Sequence, residues 1–330
     1  MSIFRNRRRT ILRVALAAPS LYLGALPSAQ SRSWPEKPIK LVLGYPAGGA
    51  ADGLARQLQV KLESQLGQPL LFDYRPGATG AIAADFVAQA APDGYTLHFA
   101  ESAAFSIVPC ARKLNYDPLS NFTLIGLVAS GGTVLAAHPS VRADNVPQLI
   151  SMLKAKPGEM AFGTAGIASF GHLAAELFQA KSQTAMTHVP YKGGAQAMIG
   201  LVGGQVPLLF ASIGTAVPYI ESGKIKALAV TSGKRSAALP TVPTVAEQGL
   251  GDYDVAMWFA LVGPAKLPSE VVARLSRALA DTMADAGVQS AIKHQGYEPT
   301  PSTAQQLHDR IQTDLAKWGK LIRDRKLTLE

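Results

Sequence analysis

The chain reads as an α/β protein built on parallel sheets covered by helices, and three observations predict this. Short, β-branched, nearly all-apolar runs alternate with amphipathic runs of helical period, as expected for strands buried on both faces and joined by right-handed crossovers. Several apolar runs enter loops of small residues that open directly into a helix. The composition, 48% hydrophobic and 17% charged over 330 residues, is that of a globular chain long enough for about two domains.

The strand pattern falls on Ile39–Gly44, Leu70–Asp73, Thr96–Ala100, Ile125–Ala129, Val134–Ala137, Met160–Gly163, Thr187–Val189, Leu208–Ala211, Ala227–Thr231 and Met257–Val262. Helical periodicity falls on Asp52–Leu66, Thr79–Ala90, Val146–Lys154, Ser169–Ala180, Gly194–Val202, Ala216–Ser222, Ser269–Ala286, Val288–His294 and Thr303–Lys326. In the helix opened by Ser269, Val272, Leu275, Leu279 and Met283 share one face, and Gly287 is placed to end it. Pro92-Asp93-Gly94, Pro157-Gly158 and Ser222-Gly223 mark turns. Trp258 and Phe259 lie on a late apolar strand and are read as core.

The N-terminus is a separate matter. Arg5, Arg7, Arg8, Arg9 and Arg13 form a basic block, followed by the apolar run Val14–Leu26 and a zone of small residues. This is the pattern of a secretory signal over residues 1–31, with cleavage fitting after Ser31 or after Ala29. The run is too short to span a bilayer, which needs about 20 residues. Arg8-Arg9 also resembles a twin-arginine signal, and an arginine-rich Sec signal accounts for it equally. Removing five arginines and no acids lowers the formal charge from +9 to +4. No Lys/Arg stripe with interleaved aromatics remains, so nucleic acid is excluded as a partner class. The single cysteine, Cys110, makes no internal disulfide and is read as a small packed residue; an exported chain without disulfides fits a bacterial periplasm.

Residues Tyr45–Asp52 are the most informative segment. A strand feeding a helix through Ala47, Gly48, Gly49 and Ala50 leaves backbone N–H groups unpaired at the helix start, a site for a phosphate, a reaction intermediate or a carboxylate. Asp52 reads as an N-cap carboxylate that also shapes the loop. The pattern recurs at Arg75–Gly80, Gly163–His172 and Tyr191–Ala195. Ligands of open α/β sheets sit beyond the carboxyl ends of strands, so such loops can converge on one cleft.

Specific chemistries are then tested. Neither Gly48-Gly49-Ala50 nor Gly193-Gly194-Ala195 carries the Gly-Lys-Ser/Thr of a Walker loop, and no GxGxxG is present. Ile167 stands where a nucleophile elbow around Ser169 needs glycine. Ser169 reads as a helix N-cap and His172 as a residue of the cleft wall; a secreted hydrolase using Ser169 and His172 is the competing enzymatic reading. No cofactor is indicated, and no HExxH, Cys/His cluster or Asp-rich loop indicates a metal. Arg75 and Lys192 flank loops and read as exposed or turn-stabilising.

Long motifs carry a family resemblance: YPAGGAADGLAR (45–56), RPGATGAIAADFVAQAAPDGYTL (75–97), YDPLSNFTLIGLVAS (116–130), FGTAGIASFGHLAAELF (162–178), VPYKGGAQAMIGLVGGQV (189–206) and ALAVTSGKRSAALPTVPTVAEQGL (227–250). The chain resembles the extracytoplasmic receptors of tripartite tricarboxylate transporters, the Bug or TctC-like family. The resemblance implies a two-lobed periplasmic-binding-protein fold, each lobe a mostly parallel sheet flanked by helices. One lobe would take residues 34–137 plus 257–330 and the other 138–256. It implies a monomeric, non-enzymatic periplasmic receptor that closes on a small organic carboxylate and delivers it to membrane permease subunits; presenting the ligand to a sensor kinase is the alternative from the same fold. Carried over to this chain, the cleft would be lined by Tyr45, Ala47, Gly48, Gly49, Ala50, Asp52, Thr79 and Ser102 from one lobe. The other lobe would contribute Thr164, Gly166, Ile167, Ala168, Ser169, His172, Ala211 and Ser212. Relatives often read Gly-Asn-Gly-Ser/Thr-x-x-His in the second loop and carry Asp at the position of Ala211. With Ile167, Ala168 and Ala211 instead, the expected ligand is a carboxylate with a less polar body than citrate or aspartate, without an ammonium group held at Ala211.

Overall fold

A computed structural model describes residues 34–328; the export-signal reading of residues 1–31 lies outside them. The chain runs β1 (Ile39–Leu43), α1 (Ala50–Leu66), β2 (Leu70–Tyr74), α2 (Ala81–Ala88), β3 (Thr96–Glu101), α3 (Val108–Ala111), β4 (Phe122–Ala137), α4 (Val146–Ala155), β5 (Ala161–Thr164), α5 (Phe170–Ser182) and β6 (Thr187–Pro190). It continues with α6 (Gly194–Val202), β7 (Leu208–Ser212), α7 (Ile213–Glu221), β8 (Lys226–Val230), β9 (Ala256–Pro264), α8 (Ser269–Ala284), α9 (Ala286–His294), β10 (Glu298–Pro299) and α10 (Ala304–Arg325).

The strands pair in the order β2-β1-β3-β9-β4-β7-β5-β6, with β10 and β8 also on β4. Pairs β1–β2, β1–β3, β5–β6 and β5–β7 are parallel, whereas β4 and β9 run antiparallel to their neighbours. The reason is connectivity. β4 and β9 carry the chain out of the first sheet and back into it, so they must point in opposite directions.

β4 is the spine of the molecule. Residues Phe122–Gly132 pair with β9, Thr133–Ala137 with β7, and Val134–Ala137 also with β8. The sequence pattern suggests two strands with a break at Ser130–Thr133; the structure has one strand of 16 residues. Its glycines are there for close approach. A Cβ on Gly131 would come within 2.7 Å of the Tyr297 ring, and one on Gly132 within 2.7 Å of the Ser232 backbone nitrogen.

Helices cover the sheets through single apolar faces. α1 buries Ala51, Leu54, Ala55, Leu58, Leu62 and Leu66, and each buried leucine contributes roughly 1.5–3 kcal/mol relative to exposure. α10 opens with a capping box between Thr303 and Gln306. Its buried Asp314 accepts from Trp258 Nε1 at 2.8 Å and from Arg310 Nε at 3.0 Å. Further along, Trp318 meets Phe170 edge-on at 5.6 Å, and Arg325 Nη2 reaches Glu176 at 2.9 Å. One helix is thereby fastened to β9 and to α5. Trp258 and Phe259 are fully buried, as expected of core.

Several boundaries differ from the sequence pattern. Gly287 does not end α8; Asp285 closes that helix and caps α9, accepting from Val288 N at 3.0 Å. The helix expected from Thr79 begins as a tight turn over Ala78–Gly80, because Ala78 and Thr79 take left-handed backbone angles, and α2 starts at Ala81. Ser269 is the first helical residue of α8, after the cap Pro268. Helical turns over Ala103–Ala111, which the pattern left unassigned, fill the space after β3. Cys110 is a half-buried thiol donating to the carbonyls of Ser106 and Leu315.

Candidate functional site

The loop after β1 turns on Gly48, whose φ of +81° an L side chain resists. Gly49 caps α1 in an extended conformation and has no side chain to offer the helix. Asp52 is the third helical residue, not the N-cap the sequence suggests, and its carboxylate is consumed locally. Oδ2 accepts from Gly48 N at 2.8 Å, while Oδ1 accepts from the Tyr74 hydroxyl at 2.6 Å and from Arg56 Nε at 2.9 Å. Burial raises its pKa, but the bonds from Tyr74, Gly48 and Arg56 outweigh that, and the carboxyl lies below its ordinary value. The N–H groups of Ala50, Ala51 and Asp52 have no acceptor within the helix, and the helix dipole adds partial positive charge there.

The loop after β5 is built differently. The Thr164 hydroxyl donates to the Gly166 carbonyl at 3.0 Å and lies 2.7 Å from His188 Nε2. Ser169 caps α5, accepting from His172 N at 3.3 Å. Ala168 sits at φ +57°, a left-handed position that favours glycine. Its N–H donates to His172 Nδ1 at 3.3 Å, which leaves His172 Nε2 facing Glu176 at 3.8 Å. The His172 and His188 rings stack at 3.9 Å and 12°, with Phe162 on His188 at 4.9 Å. Burial pushes both histidines down to about 4, assisted at His188 by the neighbouring His172. Ser169 and His172 therefore meet through a backbone N–H and not through the side-chain bond a nucleophile–base pair uses.

Contacts bring the loops of the two sheets together. At the rim, the Thr79 hydroxyl donates to the Ile167 carbonyl at 3.3 Å. Deeper in, the half-buried Tyr45 packs on Gly80 and turns its hydroxyl toward Glu101, at the carboxyl end of β3. Tyr297 also lies near Glu101 and approaches Ser212, where β7 passes into α7, while its hydroxyl donates to Met257 Sδ at 3.7 Å. Gln295 lays its side chain on Gly53 of α1 and its backbone on Gly214 of α7. The rim and floor of one cleft are thus traced by Tyr45, Thr79, Glu101, Ile167, Ser212 and Tyr297.

The other expected residues differ in exposure and in partners. Ala47, Gly48 and Gly49 are exposed on the loop, Ala50, Gly166 and Ser169 are half-buried, and Ile167 is 37% exposed. Ser102 is fully buried and accepts from Trp258 N at 3.3 Å; Thr164 is spent on its own loop; Ala211 lies in the core. Arg75 stabilises its turn, bonding Asp73 at 3.1 Å and lying 3.5 Å over the Phe86 ring, while Lys192 is exposed. Glu101, Gln295 and Tyr297 went unnoticed in the sequence. Glu101 did leave a signal, as an acid directly after the apolar run Leu97–Ala100 where a strand ends. Burial raises it to about 8 despite the Tyr45 hydroxyl, which favours the ionised form. Among the described residues, no group of acids, histidines and cysteines could hold a metal ion, and no helix is long and apolar enough to cross a membrane.

Two sheets joined by the shared strand β4, with strand-end loops facing each other across a cleft, define a two-lobed periplasmic binding protein. Solved structures of that type superpose on the chain. A Rhodopseudomonas palustris protein solved with adipate has a TM-score of 0.83 at 32% identity, covering 88% of this chain and 98% of that one. MatC from the same organism, with bound malate, has a TM-score of 0.80 at 27% identity, covering 88% and 100%. The chain belongs to the tripartite tricarboxylate transporter family receptors, whose signature matches residues 54–327. Protein BugT of Bordetella pertussis is 33% identical over 297 residues, 88% of this chain and 90% of the relative.

Proposed function

We propose that the protein is a periplasmic receptor that closes two lobes on a small organic carboxylate and hands it to the permease subunits of a tripartite tricarboxylate-type transporter. One lobe is residues 34–137 with 257–330, and the other is residues 138–256. The observation that carries the reading is the opposed pair of helix starts. The uncapped N-terminus of α1 and the Ser169-capped start of α5 each open from a strand-end loop, and the turn before α2, which packs on the first of these loops at Gly44 and Tyr45, is bonded to the second through Thr79 and Ile167. Hydrogen bonds to a charged group contribute roughly 1.5–3 kcal/mol each, and four give about 6–12. A micromolar site needs about 8 kcal/mol, so backbone donors suffice without an arginine clamp.

The remaining lining sets the ligand's body. Ile167 is apolar and exposed at the rim, the buried Ala168 beside it has no side-chain polar atom, and Tyr45 adds an aromatic ring. An aliphatic or aromatic acid fits this surface better than citrate. The relatives solved with adipate and malate support the carboxylate class. Thermal denaturation against a panel of aliphatic and aromatic mono- and dicarboxylates, amino acids and citrate tests the reading, with calorimetry on the best stabiliser. An apolar mono- or dicarboxylate is expected to bind one per chain. Stabilisation by amino acids or citrate alone overturns it.

A further inference from the structure

Glu101 is the unassigned group that the cleft makes most conspicuous. It ends β3 beside the first loop, half-buried, and among the described residues it takes part in no ion pair. Its surroundings can be traced element by element. The loop after β1 presents the Tyr45 hydroxyl, with Tyr116 behind it. β9 presents Phe259, its partner in the sheet, and the turn after β3 presents Ser102. The turn before β10 presents Tyr297, which reaches on to Ser212 of the opposite sheet. None of these groups carries a positive charge.

An unpaired carboxyl in a cleft that gathers an anion poses a specific electrostatic problem. Two carboxylates brought together in a site of low dielectric do not both ionise; one retains a proton and the pair is held by that shared hydrogen. We infer that Glu101 is a specificity-determining residue that meets the ligand's second polar end in its protonated form, donating its hydroxyl hydrogen to a ligand oxygen. Binding to the ionised receptor then takes one proton from solvent onto Glu101, and the ligand enters as its carboxylate. Burial, which already raises the free acid to about 8, moves the group in the direction this requires. Ligands carrying a fixed positive charge at that end are disfavoured, because they need the ionised form.

This inference rests on the carboxylate reading above, and one experiment separates the two. The best-binding member of the carboxylate panel is titrated calorimetrically at about pH 6 and about pH 9, in buffers of different ionisation enthalpy, so that protons taken up per ligand are counted. The expected result is uptake of about one proton at the higher pH and almost none at the lower, with affinity falling towards tenfold per pH unit above the Glu101 titration. E101Q is expected to abolish both the uptake and the slope. Carboxylate binding without proton uptake in the wild-type protein overturns the role of Glu101 alone, as does affinity that rises with pH. Failure of every carboxylate on the panel to bind overturns the carboxylate reading and this one with it. The wild-type titration decides the matter even where E101Q does not fold.

Discussion

The Thr79 hydroxyl donates to the Ile167 carbonyl at 3.3 Å, joining the loop before α2 to the loop before α5 across the cleft mouth. The bond lies at the edge of the proposed site and buries no charge. Replacing Thr79 by valine keeps the side-chain shape and removes the donor. Ligand affinity is expected to weaken by about two- to tenfold, the range of one neutral hydrogen bond, while the melting temperature of the free protein stays nearly unchanged. Calorimetry with the best carboxylate measures the first, and an unaltered affinity would show that this contact has no part in closure.

Asp52 is a different case, because its three bonds fix the first loop to its own helix and to β2. Asp52→Ala leaves Gly48 N, the Tyr74 hydroxyl and Arg56 without their acceptor. A loss of about 2–4 kcal/mol in unfolding free energy is expected, more than one neutral bond supplies, since the acceptor is charged. Its carboxyl lies below the ordinary value in the folded state, so its contribution is complete above the unfolded pKa of about 4 and is lost as pH falls through the folded value. Urea unfolding at neutral pH and at about pH 3 should show the difference between wild type and variant shrink with acid.

Ala168 sets two small effects against each other. Glycine there relieves a left-handed alanine, worth about 1 kcal/mol, but removes a buried methyl worth about 0.8 kcal/mol. Ala168→Gly is therefore expected within about 0.5 kcal/mol of wild type, whereas Ala168→Val, β-branched at positive φ, should lose about 2 kcal/mol or more. Chemical denaturation of the two variants side by side tests the balance. Equal stability of alanine and valine would contradict the backbone assignment.

The stacked histidines predict an acid sensitivity with a defined window. His172 and His188 are held down to about 4 in the folded protein, against about 6.5 in the unfolded chain. Between those values the unfolded chain binds more protons, so stability is full above about pH 6.5 and falls as pH drops towards 4. The loss is on the order of 3 kcal/mol per independent histidine, and smaller for a coupled pair. Melting temperatures measured from about pH 7.5 down to about 4.5 should decline, and His188→Gln should decline less over the same range.

What the sequence made legible follows from locality. Small residues at Gly48–Ala50 and Gly163–Ala168 mark strand-to-helix turns, because a turn and a cap are settled within a few residues; the Ser169 cap was readable for the same reason. Partners that arrive from far along the chain were not. Asp52 was read as a cap because Tyr74, its shortest partner, comes from the next strand. Glu101 was passed over because its significance depends on Tyr297, almost two hundred residues later. Gly131 and Gly132 look like a break until Tyr297 and Ser232 occupy the space a side chain would take. The family motifs supplied the two-lobed arrangement, which periodicity alone does not.

The unbroken course of β4 has a consequence for how the protein comes to be folded. Phe122 pairs with Pro264 and Gly132 with Ala256, so the first sheet receives a central strand only after the whole of the second has been made. Pairings this distant carry a large loop-closure cost and form slowly. During synthesis the N-terminal third therefore waits as an open template with an unpaired edge, a state that exposes an arrested chain to aggregation. A circular permutant cut before β9, so that β9–α10 precede β1, should collapse sooner than the natural order, a difference that stopped-flow refolding can time.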